Sequence, residues 1–176
     1  MSAPESHVVV IGVFDGVHKG HQGLLTYATS IADGREVIAL TFDPHPTAIF
    51  APDRAPTMLT TLSDRVELLK IHGADRVAVL KFTSSFAQMS PEDFVKNILV
   101  EQLQASTVIV GSNFTYGHKA AGNVDSLIES GGKYGFTVSA QDLNVSEGEI
   151  NSSTRIRNLV TSGGVEDARL LLGRPH

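Results

Sequence analysis

Five apolar runs, each separated from the next by a segment of helical pattern, constrain the fold of this 176-residue chain most. Several runs are continuously apolar, such as VVVI at residues 8–11 and VIV at residues 108–110. Continuous apolar runs are typical of strands covered on both faces, as in a parallel sheet. We therefore predict five buried strands, over residues 7–14, 36–43, 76–82, 106–114 and 136–143.

Segments with helical patterns lie between and after these runs. The clearest start is at Ser90, a predicted N-cap followed by Pro91 at the first helical position and Asp93 at the capping-box position. Six helices are predicted, over residues 21–32, 62–71, 90–103, 125–130, 154–160 and 165–172. This alternation indicates a single Rossmann-like, doubly wound α/β domain, with a five-stranded, mainly parallel sheet and helices on both faces.

Composition and charge exclude several classes of function. The formal net charge of −5 does not favour a nucleic-acid partner. The sequence contains no cysteine, which excludes disulfides, thiolate catalysis and cysteine-ligated zinc. The apolar runs fall far short of the ~20 residues that a membrane span needs, and residues 1–6 lack the basic and apolar regions of a signal peptide. We therefore expect a cytoplasmic protein without membrane or nucleic-acid partners.

The stretch GVFDGVHKGHQGLL follows the first predicted strand. Its glycines recur every four residues, at Gly12, Gly16 and Gly20, and glycine permits tight turns and the close approach of a ligand. His18 and His21 lie three residues apart at the predicted helix start, so their rings can share one face. A helix N-terminus offers unpaired N–H groups to phosphate, and imidazole can donate further hydrogen bonds. The stretch therefore predicts a phosphate-binding loop.

This stretch differs from two familiar phosphate-binding motifs. A Walker A loop ends its glycine-rich segment with Lys and Ser or Thr, the dinucleotide-binding fingerprint is G-x-G-x-x-G, and neither is present. What the sequence offers instead is His-x-Gly-His at the end of a strand. Four of the other histidines have no such setting, and we expect structural or solvated roles for His7, His72, His118 and His176.

Two motifs together resemble the signature of the HIGH-type nucleotidyltransferase superfamily. One is His18-Lys19-Gly20-His21, and the other is Ser152-Ser153-Thr154-Arg155-Ile156-Arg157. Three further stretches, TFDPHP at 41–46, LTTL at 59–62 and GSNFTYG at 111–117, resemble bacterial bifunctional FAD synthetases. These enzymes combine a riboflavin kinase with an FMN adenylyltransferase. The resemblance covers most of the chain, but only the adenylyltransferase module of such enzymes.

The sequence departs from this family in three respects. The kinase signature Pro-Thr-x-Asn is missing, so we expect residues 1–176 to form one adenylyltransferase domain without riboflavin kinase activity. Asn113 stands where some relatives carry Asp, which bears on how ATP or metal is held, and Asn151 stands where an aliphatic residue is usual. The Leu170-Leu171-Leu172 run of the last predicted helix either packs on the absent kinase domain or covers the sheet.

The resemblance implies transfer of AMP from ATP to FMN, which gives FAD and pyrophosphate. His18 and His21 would contact the ATP phosphates, and Arg157 would hold the β- and γ-phosphates. Mg²⁺ would bridge the phosphates without a dedicated protein site, with Asn113 as the candidate for orienting it. The other residues implied for ATP are Gly12, Phe14, Asp15, Gly16, Gly20, Ser152, Ser153 and Thr154.

A flavin needs a flat apolar slot with a few polar groups. The residues implied for FMN follow the second and fourth predicted strands, and they are Phe42, Asp43, Pro44, His45, Pro46, Phe50, Phe114 and Tyr116. The two prolines fix the backbone around His45 and favour ligand contact there. For Phe42 and Phe50, core packing is an equal alternative.

Three questions stay open at the level of sequence. Asp15 either turns its loop by bonding to its own backbone or contacts a ligand. The acceptor is either FMN or another phosphate-bearing molecule, such as a sugar phosphate, pantetheine phosphate or nicotinamide mononucleotide. A flavin- or nucleotide-binding module without turnover is the alternative from another functional class.

Overall fold

The computed structural model describes residues 5–143 and 153–176. Within them, the strands are His7–Ile11 (β1), Val37–Asp43 (β2), Arg76–Lys81 (β3), Ala105–Gly111 (β4), Thr115–Tyr116 (β5), Gly122–Asn123 (β6) and Thr137–Gln141 (β7). Five of them form a sheet in the order β3-β2-β1-β4-β7, in which every neighbouring pair is parallel. The short strands β5 and β6 form an antiparallel ribbon. The predicted doubly wound α/β architecture is confirmed.

The helices alternate with the strands of the large sheet. They are Lys19–Ile31 (α1), Pro46–Phe50 (α2), Leu62–Ile71 (α3), Ser84–Ala87 (α4), Pro91–Asp93 (α5), Val124–Tyr134 (α6), Ser153–Thr161 (α7) and Val165–Leu172 (α8). Helix α5 continues as a π-helix over Phe94–Gln102, and single 3₁₀ turns lie at Pro52–Arg54 and His118–Ala120. In the part of the chain that the structure describes, no helix is long and apolar enough to cross a membrane.

Two predicted strands extend three residues too far at their carboxyl ends, and those predicted over 76–82 and 136–143 extend one and two residues too far. The strand predicted over 7–14 ends at Ile11, and three residues later Phe14 adopts a positive φ of 57° that turns the chain away from the sheet. The strand predicted over 106–114 ends at Gly111, where the N–H of Phe114 donates back to the Gly111 carbonyl in a turn. Apolar composition continued past the point where the backbone leaves the ladder, so it could not mark the ends.

Two predicted helices also differ from the structure. The helix predicted over 90–103 has the expected limits and the Ser90 cap, but most of it has π-type hydrogen bonding. The helix predicted over 125–130 is longer, because a capping box at Asn123 starts it and Gly135 in a left-handed conformation ends it.

Both faces of the sheet are covered. On one face, Val9 and Ile11 of β1 pack with the π-helix and α6, through residues such as Leu99 and Leu127. On the other face, the alternate residues of β1 pack with α1 and α3, through residues such as Leu25. Because β1 lies in the middle of the sheet, it is buried along its whole length. Burial on both faces accounts for its continuous apolar run.

The order of the strands reverses between β1 and β4. Chain connections leave in opposite directions from such a point, so a crevice opens at the carboxyl ends of the two strands. Helices α7 and α8 pack against each other through Ile156, Ala168 and Leu172, with Leu59 beside them. Leu172 also lies close to Gly16, so this helix pair covers the loop that follows β1.

Candidate functional site

The loop between β1 and α1, residues 12–18, has a strained backbone. Phe14 and Val17 have positive φ values of 57° and 41°, and Gly16 has a φ of 81°. Glycine adopts this region freely, but a β-branched residue such as Val17 is a genuine outlier there. Each such residue costs of order 1–3 kcal/mol and persists only where its surroundings hold it in place. The β1–α1 loop is therefore held by contacts from outside the loop.

His18 is the N-cap of α1. Its Nδ1 accepts a hydrogen bond from the backbone N–H of Gly20 at 3.2 Å. A ring that accepts through Nδ1 carries its proton on Nε2 when it is neutral. A Cβ on Gly20 would lie 2.8 Å from the carbonyl oxygen of Leu143 and 3.0 Å from the His18 ring, so a side chain at this position would displace the cap.

The rings of His18 and His21 stack, with their centroids 3.7 Å apart and an interplanar angle of 20°. The predicted shared face is thus confirmed. Burial lowers the pKa of His18 to about 4, although Asp15 acts in the opposite direction. Burial, and then the neighbouring His18, lower the pKa of His21 well below its ordinary value. Both rings are therefore neutral near pH 7 and act as hydrogen-bonding groups rather than as cations.

A cavity of about 150 Å³ lies at the strand-order reversal, and we call it the switch-point cavity. It is lined by Ile11, Gly12, Val13, Phe14, His21, Leu24, Gly111, Asn113, Phe114 and Leu143. The Nδ1 of His21 is buried and has no hydrogen-bond partner among the described residues. A buried polar atom without a partner beside a cavity is typical of a ligand-binding site.

A second, larger cavity of about 270 Å³ is apolar, and we call it the aromatic cavity. Six of the eight phenylalanines of the chain contribute to its wall. The wall comprises Gly12, Val13, Phe42, Pro46, Phe50, Phe82, Phe86, Ala87, Met89, Phe94, Phe114, Thr115, Tyr116, Gly117 and Ala120. The rings meet mainly edge to face, as in the Phe82–Phe86 pair at 5.2 Å, which leaves ring faces free to stack on a planar ligand.

The two cavities adjoin each other. Gly12, Val13 and Phe114 line both of them. Gly12, Val13 and Phe114 therefore form the wall between a cavity that contains a histidine and a cavity formed by aromatic rings. Such an arrangement can bring a polar group of one ligand against a second ligand.

The residues predicted for a flavin fall into two groups. Phe42 is buried in the core and also lines the aromatic cavity, so both of its predicted roles are compatible with the structure. Phe50 is 59% exposed at the rim of the same cavity, which removes core packing as its role. Phe114 stacks on Tyr116 at 5.5 Å, and the Tyr116 hydroxyl pairs with Ser126.

The other four members of that predicted set lie at the end of β2 and the start of α2, where Pro46 is the first residue of the helix and lines the aromatic cavity. Asp43 accepts a hydrogen bond from Arg65 at 3.4 Å, and Pro44 is exposed. His45 is the N-cap of α2 and accepts from the N–H of Thr47 at 3.1 Å. Burial, and then the nearby Arg157 guanidinium, lower the pKa of His45.

Asp15 connects three parts of the molecule. Its carboxylate is 1% exposed and accepts hydrogen bonds from the backbone N–H groups of Leu59 and Thr60 and from the Thr60 hydroxyl. It also pairs with Arg157 at 2.6 Å. The interpretation that Asp15 turns its loop by bonding to its own backbone is wrong, because its partners lie 44 and more residues away along the chain.

Arg157 lies in the middle of α7 and is held by two contacts. Its Nε donates to the carbonyl of Thr57 at 2.8 Å, and its Nη2 donates to Asp15. Of its neighbours in the second motif, Ser153 donates its hydroxyl to the Asp15 carbonyl at 2.8 Å, and Thr154 is exposed. Ser152 and Asn151 lie outside the described residues. The predicted phosphate contacts of this motif stay a prediction.

Arg65 is a residue of the site region that was not predicted from the sequence. Its side chain is fully buried and donates to the carbonyls of Val13 at 2.8 Å and Phe42 at 3.1 Å, which ties together the segments that follow β1 and β2. A signal for it exists, because Arg65 lies one helical turn before the buried Leu69 and so occupies the inward face of α3. The aromatic residues missed for the second cavity are Phe82, Phe86 and Phe94, which follow or flank the third strand.

The donor set of the site limits how a metal ion can be held. In residues 5–143 and 153–176, no group of three or more His, Cys, Asp or Glu side chains could hold an ion. Asn113 is exposed beside the switch-point cavity and offers one amide oxygen. Mg²⁺ takes few protein ligands and keeps several waters, so these residues fit an ion that is held mostly by a bound phosphate group.

A parallel sheet with a histidine-bearing loop at its switch point places the chain among Rossmann-like α/β proteins. The sequence profile of the FAD synthetase family matches residues 1–155, and the chain belongs to that family.

Curated relatives share much of the sequence. The bifunctional riboflavin kinase/FMN adenylyltransferase of Listeria monocytogenes is 38% identical over 173 residues, which is 96% of this chain and 54% of the relative. The enzyme of the same description from Escherichia coli K12 is 33% identical over 97% of this chain and 55% of the relative. The chain thus spans about half the length of the curated relatives that it matches.

A solved structure supports the same fold. A crystal structure described as a macrolide-efflux protein from Streptococcus pneumoniae superposes with a TM-score of 0.84 at 30% identity. The superposition covers 99% of this chain and 58% of the other.

Proposed function

We propose that this chain is an FMN adenylyltransferase, which transfers AMP from ATP to FMN and releases pyrophosphate. The observation that carries the proposal is the pair of adjoining cavities, which share Gly12, Val13 and Phe114. One cavity suits a nucleotide and the other suits a flavin ring. The names of the curated relatives agree with this activity.

ATP is assigned to the switch-point cavity and the neighbouring start of α1. His21 lines this cavity, its buried Nδ1 has no hydrogen-bond partner among the described residues, and His18 stacks on its ring. The first turn of α1 presents backbone N–H groups with a partial positive charge, which favours a polyphosphate. Phe14, Asp15 and Gly16 belong to the loop that leads to this turn, and Gly20 lies within it.

FMN is assigned to the aromatic cavity. Its isoalloxazine ring would lie among the aromatic side chains, with Phe50 at the rim. Its phosphate would extend past Gly12 and Val13, where the two cavities meet. Pro46 lines this cavity at the start of α2, and His45 precedes it as the N-cap of that helix.

The reaction requires alignment and charge neutralisation more than proton abstraction. The second pKa of a phosphomonoester is about 6, so FMN is already largely a dianion at neutral pH. One of its phosphate oxygens attacks the α-phosphorus of ATP, a new P–O bond forms, and the bond to the pyrophosphate oxygen breaks. Mg²⁺, when bound by the phosphates, would neutralise part of their charge, and Asn113 is the side chain placed to orient it.

The protein groups act as preorganised donors. The neutral His18 ring, with its proton on Nε2, donates a hydrogen bond to an α-phosphoryl oxygen, and His21 supports it by stacking. Because both rings are neutral before ATP binds, the anion raises their pKa values and strengthens each hydrogen bond. Arg157 is anchored through Nε and Nη2, and the remaining Nη1 is the group that we assign to the β- and γ-phosphates.

Three further assignments belong to this proposal. The 176 residues act as one adenylyltransferase domain, and riboflavin phosphorylation is not expected from them. Val165 and Leu170 are exposed on α8 and are the residues proposed to contact a riboflavin kinase domain. A cytoplasmic location stays a prediction.

The test is to incubate the purified chain with FMN and MgATP and to separate the flavins by chromatography. A parallel sample contains riboflavin instead of FMN. We expect FAD from FMN and neither FMN nor FAD from riboflavin. Pyrophosphate release with nicotinamide mononucleotide or pantetheine phosphate, but not with FMN, would assign a different acceptor. FMN binding without FAD formation would show a binding module without turnover.

A further inference from the structure

Two side chains that the proposed reaction does not use hold the β1–α1 loop from outside. The Nη2 of Arg174 donates to the carbonyl of Gly16 at 2.7 Å, and its Nη1 donates to the carbonyl of Val17 at 3.4 Å. The Nε2 of Gln22 donates to the same Val17 carbonyl at 2.9 Å. Two consecutive carbonyls of the loop are therefore fixed by one donor from the helix that follows it and one from the far end of the chain.

These carbonyls lie in the strained part of the loop. Gly16 and Val17 both have positive φ, and the Val17 side chain is completely buried. A β-branched residue returns to an extended or right-handed conformation unless its surroundings prevent this. The hydrogen bonds from Arg174 and Gln22 are made to the carbonyls of the two residues that have positive φ.

The same peptide units determine the orientation of His18. Because the peptide bond is planar, the carbonyl of Val17 and the N–H of His18 lie in one plane. A donor that fixes the Val17 carbonyl therefore fixes the backbone that enters His18, the N-cap of α1. The His18 ring stacks on the His21 ring, so fixing the backbone at His18 also helps to fix the orientation of the His21 ring.

The end of α8 places Arg174 beside the loop. Gly173 ends this helix in a left-handed conformation with φ of 74°, and the chain turns back towards α1. Gln22 also donates to the carbonyl of Leu172 at 2.8 Å, which joins the last turn of α8 to the first turns of α1. The loop is thus clamped between the first and the last helix.

We propose that Arg174, assisted by Gln22, is a positioning residue for adenylyl transfer, which holds the β1–α1 loop so that His18 and His21 face the nucleotide. This inference rests on the proposed function. Loss of the Arg174 or Gln22 hydrogen bonds should therefore weaken ATP binding and slow the chemical step. The flavin site, whose aromatic wall Arg174 does not touch, should be unaffected.

The test compares Arg174→Ala, Arg174→Lys and Gln22→Ala with the matched control Arg169→Ala. Arg169 lies on the same helix, is exposed and pairs only with Glu166, three residues before it, among the described residues. For each protein we would measure kcat, KM for ATP, KM for FMN, the dissociation constant of ATP by calorimetry, and the midpoint of thermal unfolding.

We expect Arg174→Ala to lower kcat/KM for ATP by about tenfold while KM for FMN stays unchanged. Lysine keeps a donor for the Gly16 carbonyl, so Arg174→Lys should recover part of the loss. Gln22→Ala should show a smaller loss of the same kind, and Arg169→Ala should resemble the wild type.

Two results would overturn the inference. One is Arg174→Ala with the ATP parameters of the wild type. The other is an equal loss for ATP and FMN that follows the folded fraction and that lysine does not recover, since this indicates a stabilising role only. If the wild type itself makes no FAD, the proposed function is wrong, but the inference can still be tested. The ATP dissociation constants of the wild type and of Arg174→Ala then show whether Arg174 positions the loop for ATP.

Discussion

The switch-point cavity and the aromatic cavity share a wall but are built in different ways. Around the first, the β1–α1 loop is strained and is held by directed hydrogen bonds: its own Asp15 carboxylate accepts from Leu59, and Gln22 of α1 and Arg174 after α8 donate to its carbonyls. Around the second, aromatic rings pack edge to face with few polar contacts. The polar site is therefore specified by directed bonds, and the apolar site by shape.

This difference predicts how each site responds to a single substitution. A directed hydrogen bond is lost completely when its donor is removed, so one substitution in the first site should affect the chemical step strongly. A wall of several rings shares its contacts, so one substitution in the second site should weaken flavin binding in proportion to the area lost.

The largest effect is expected for His18→Asn. The amide oxygen of asparagine can cap α1 as the ring Nδ1 does, so the fold is kept while the Nε2–H donor is lost. We expect kcat to fall about 10²–10³-fold, as for the loss of one donor to a developing charge, with FMN affinity unchanged. The exposed His176→Asn is the control. A kcat within about threefold of wild type would remove His18 from the chemical step.

An intermediate effect is expected on stability in mild acid. His18 has a pKa of about 4 in the folded protein and 6.5 as its ordinary value. Between these values the unfolded chain binds more protons, so folding stability falls as the pH falls from 6.5 towards 4. For His18 alone this is about 2 kcal/mol at pH 5. His21 shifts in the same direction and adds to the loss.

Denaturant titrations at pH 7.5 and pH 5 measure this loss for the wild type and for His18→Asn. The variant should lose less stability than the wild type, because one of the two buried rings no longer titrates. Equal losses for both proteins would show that the His18 ring is not held neutral by the fold.

The smallest effect is expected for Phe50→Ala. Phe50 is 59% exposed, so its removal should change stability by less than about 1 kcal/mol. It lies at the rim of the aromatic cavity, and we expect KM for FMN to rise about tenfold while KM for ATP stays constant. Ile71→Ala removes another exposed apolar side chain, away from both cavities, and should leave both constants unchanged. An unchanged KM for FMN in Phe50→Ala would separate the aromatic cavity from flavin binding.

The sequence could predict what depends on periodicity and local spacing. The order of strands and helices follows from apolar runs, and the limits of α3 and α8 agree with the prediction because caps and glycines mark them. The stacking of His18 on His21 follows from their spacing on one helix.

Contacts between distant segments could not be predicted in the same way. Arg65 and Arg174 each donate to carbonyls of the loop at the end of β1. The local sequence pattern around an arginine does not indicate which distant carbonyl its side chain contacts. The partners of Asp15 were unpredictable for the same reason. The residue types of the site are visible in the sequence, whereas the bonds that orient them depend on the tertiary fold.

The most direct measurement of the central claim is to follow the fate of radiolabelled ATP with FMN as the acceptor. Two parallel reactions would contain ATP labelled at the α-phosphorus or at the γ-phosphorus, and the flavin products would be separated and counted. Adenylyl transfer predicts label in the flavin from α-labelled ATP only, with the γ-label recovered in pyrophosphate. Label in the flavin from γ-labelled ATP, or an unlabelled flavin in both reactions, would contradict the account.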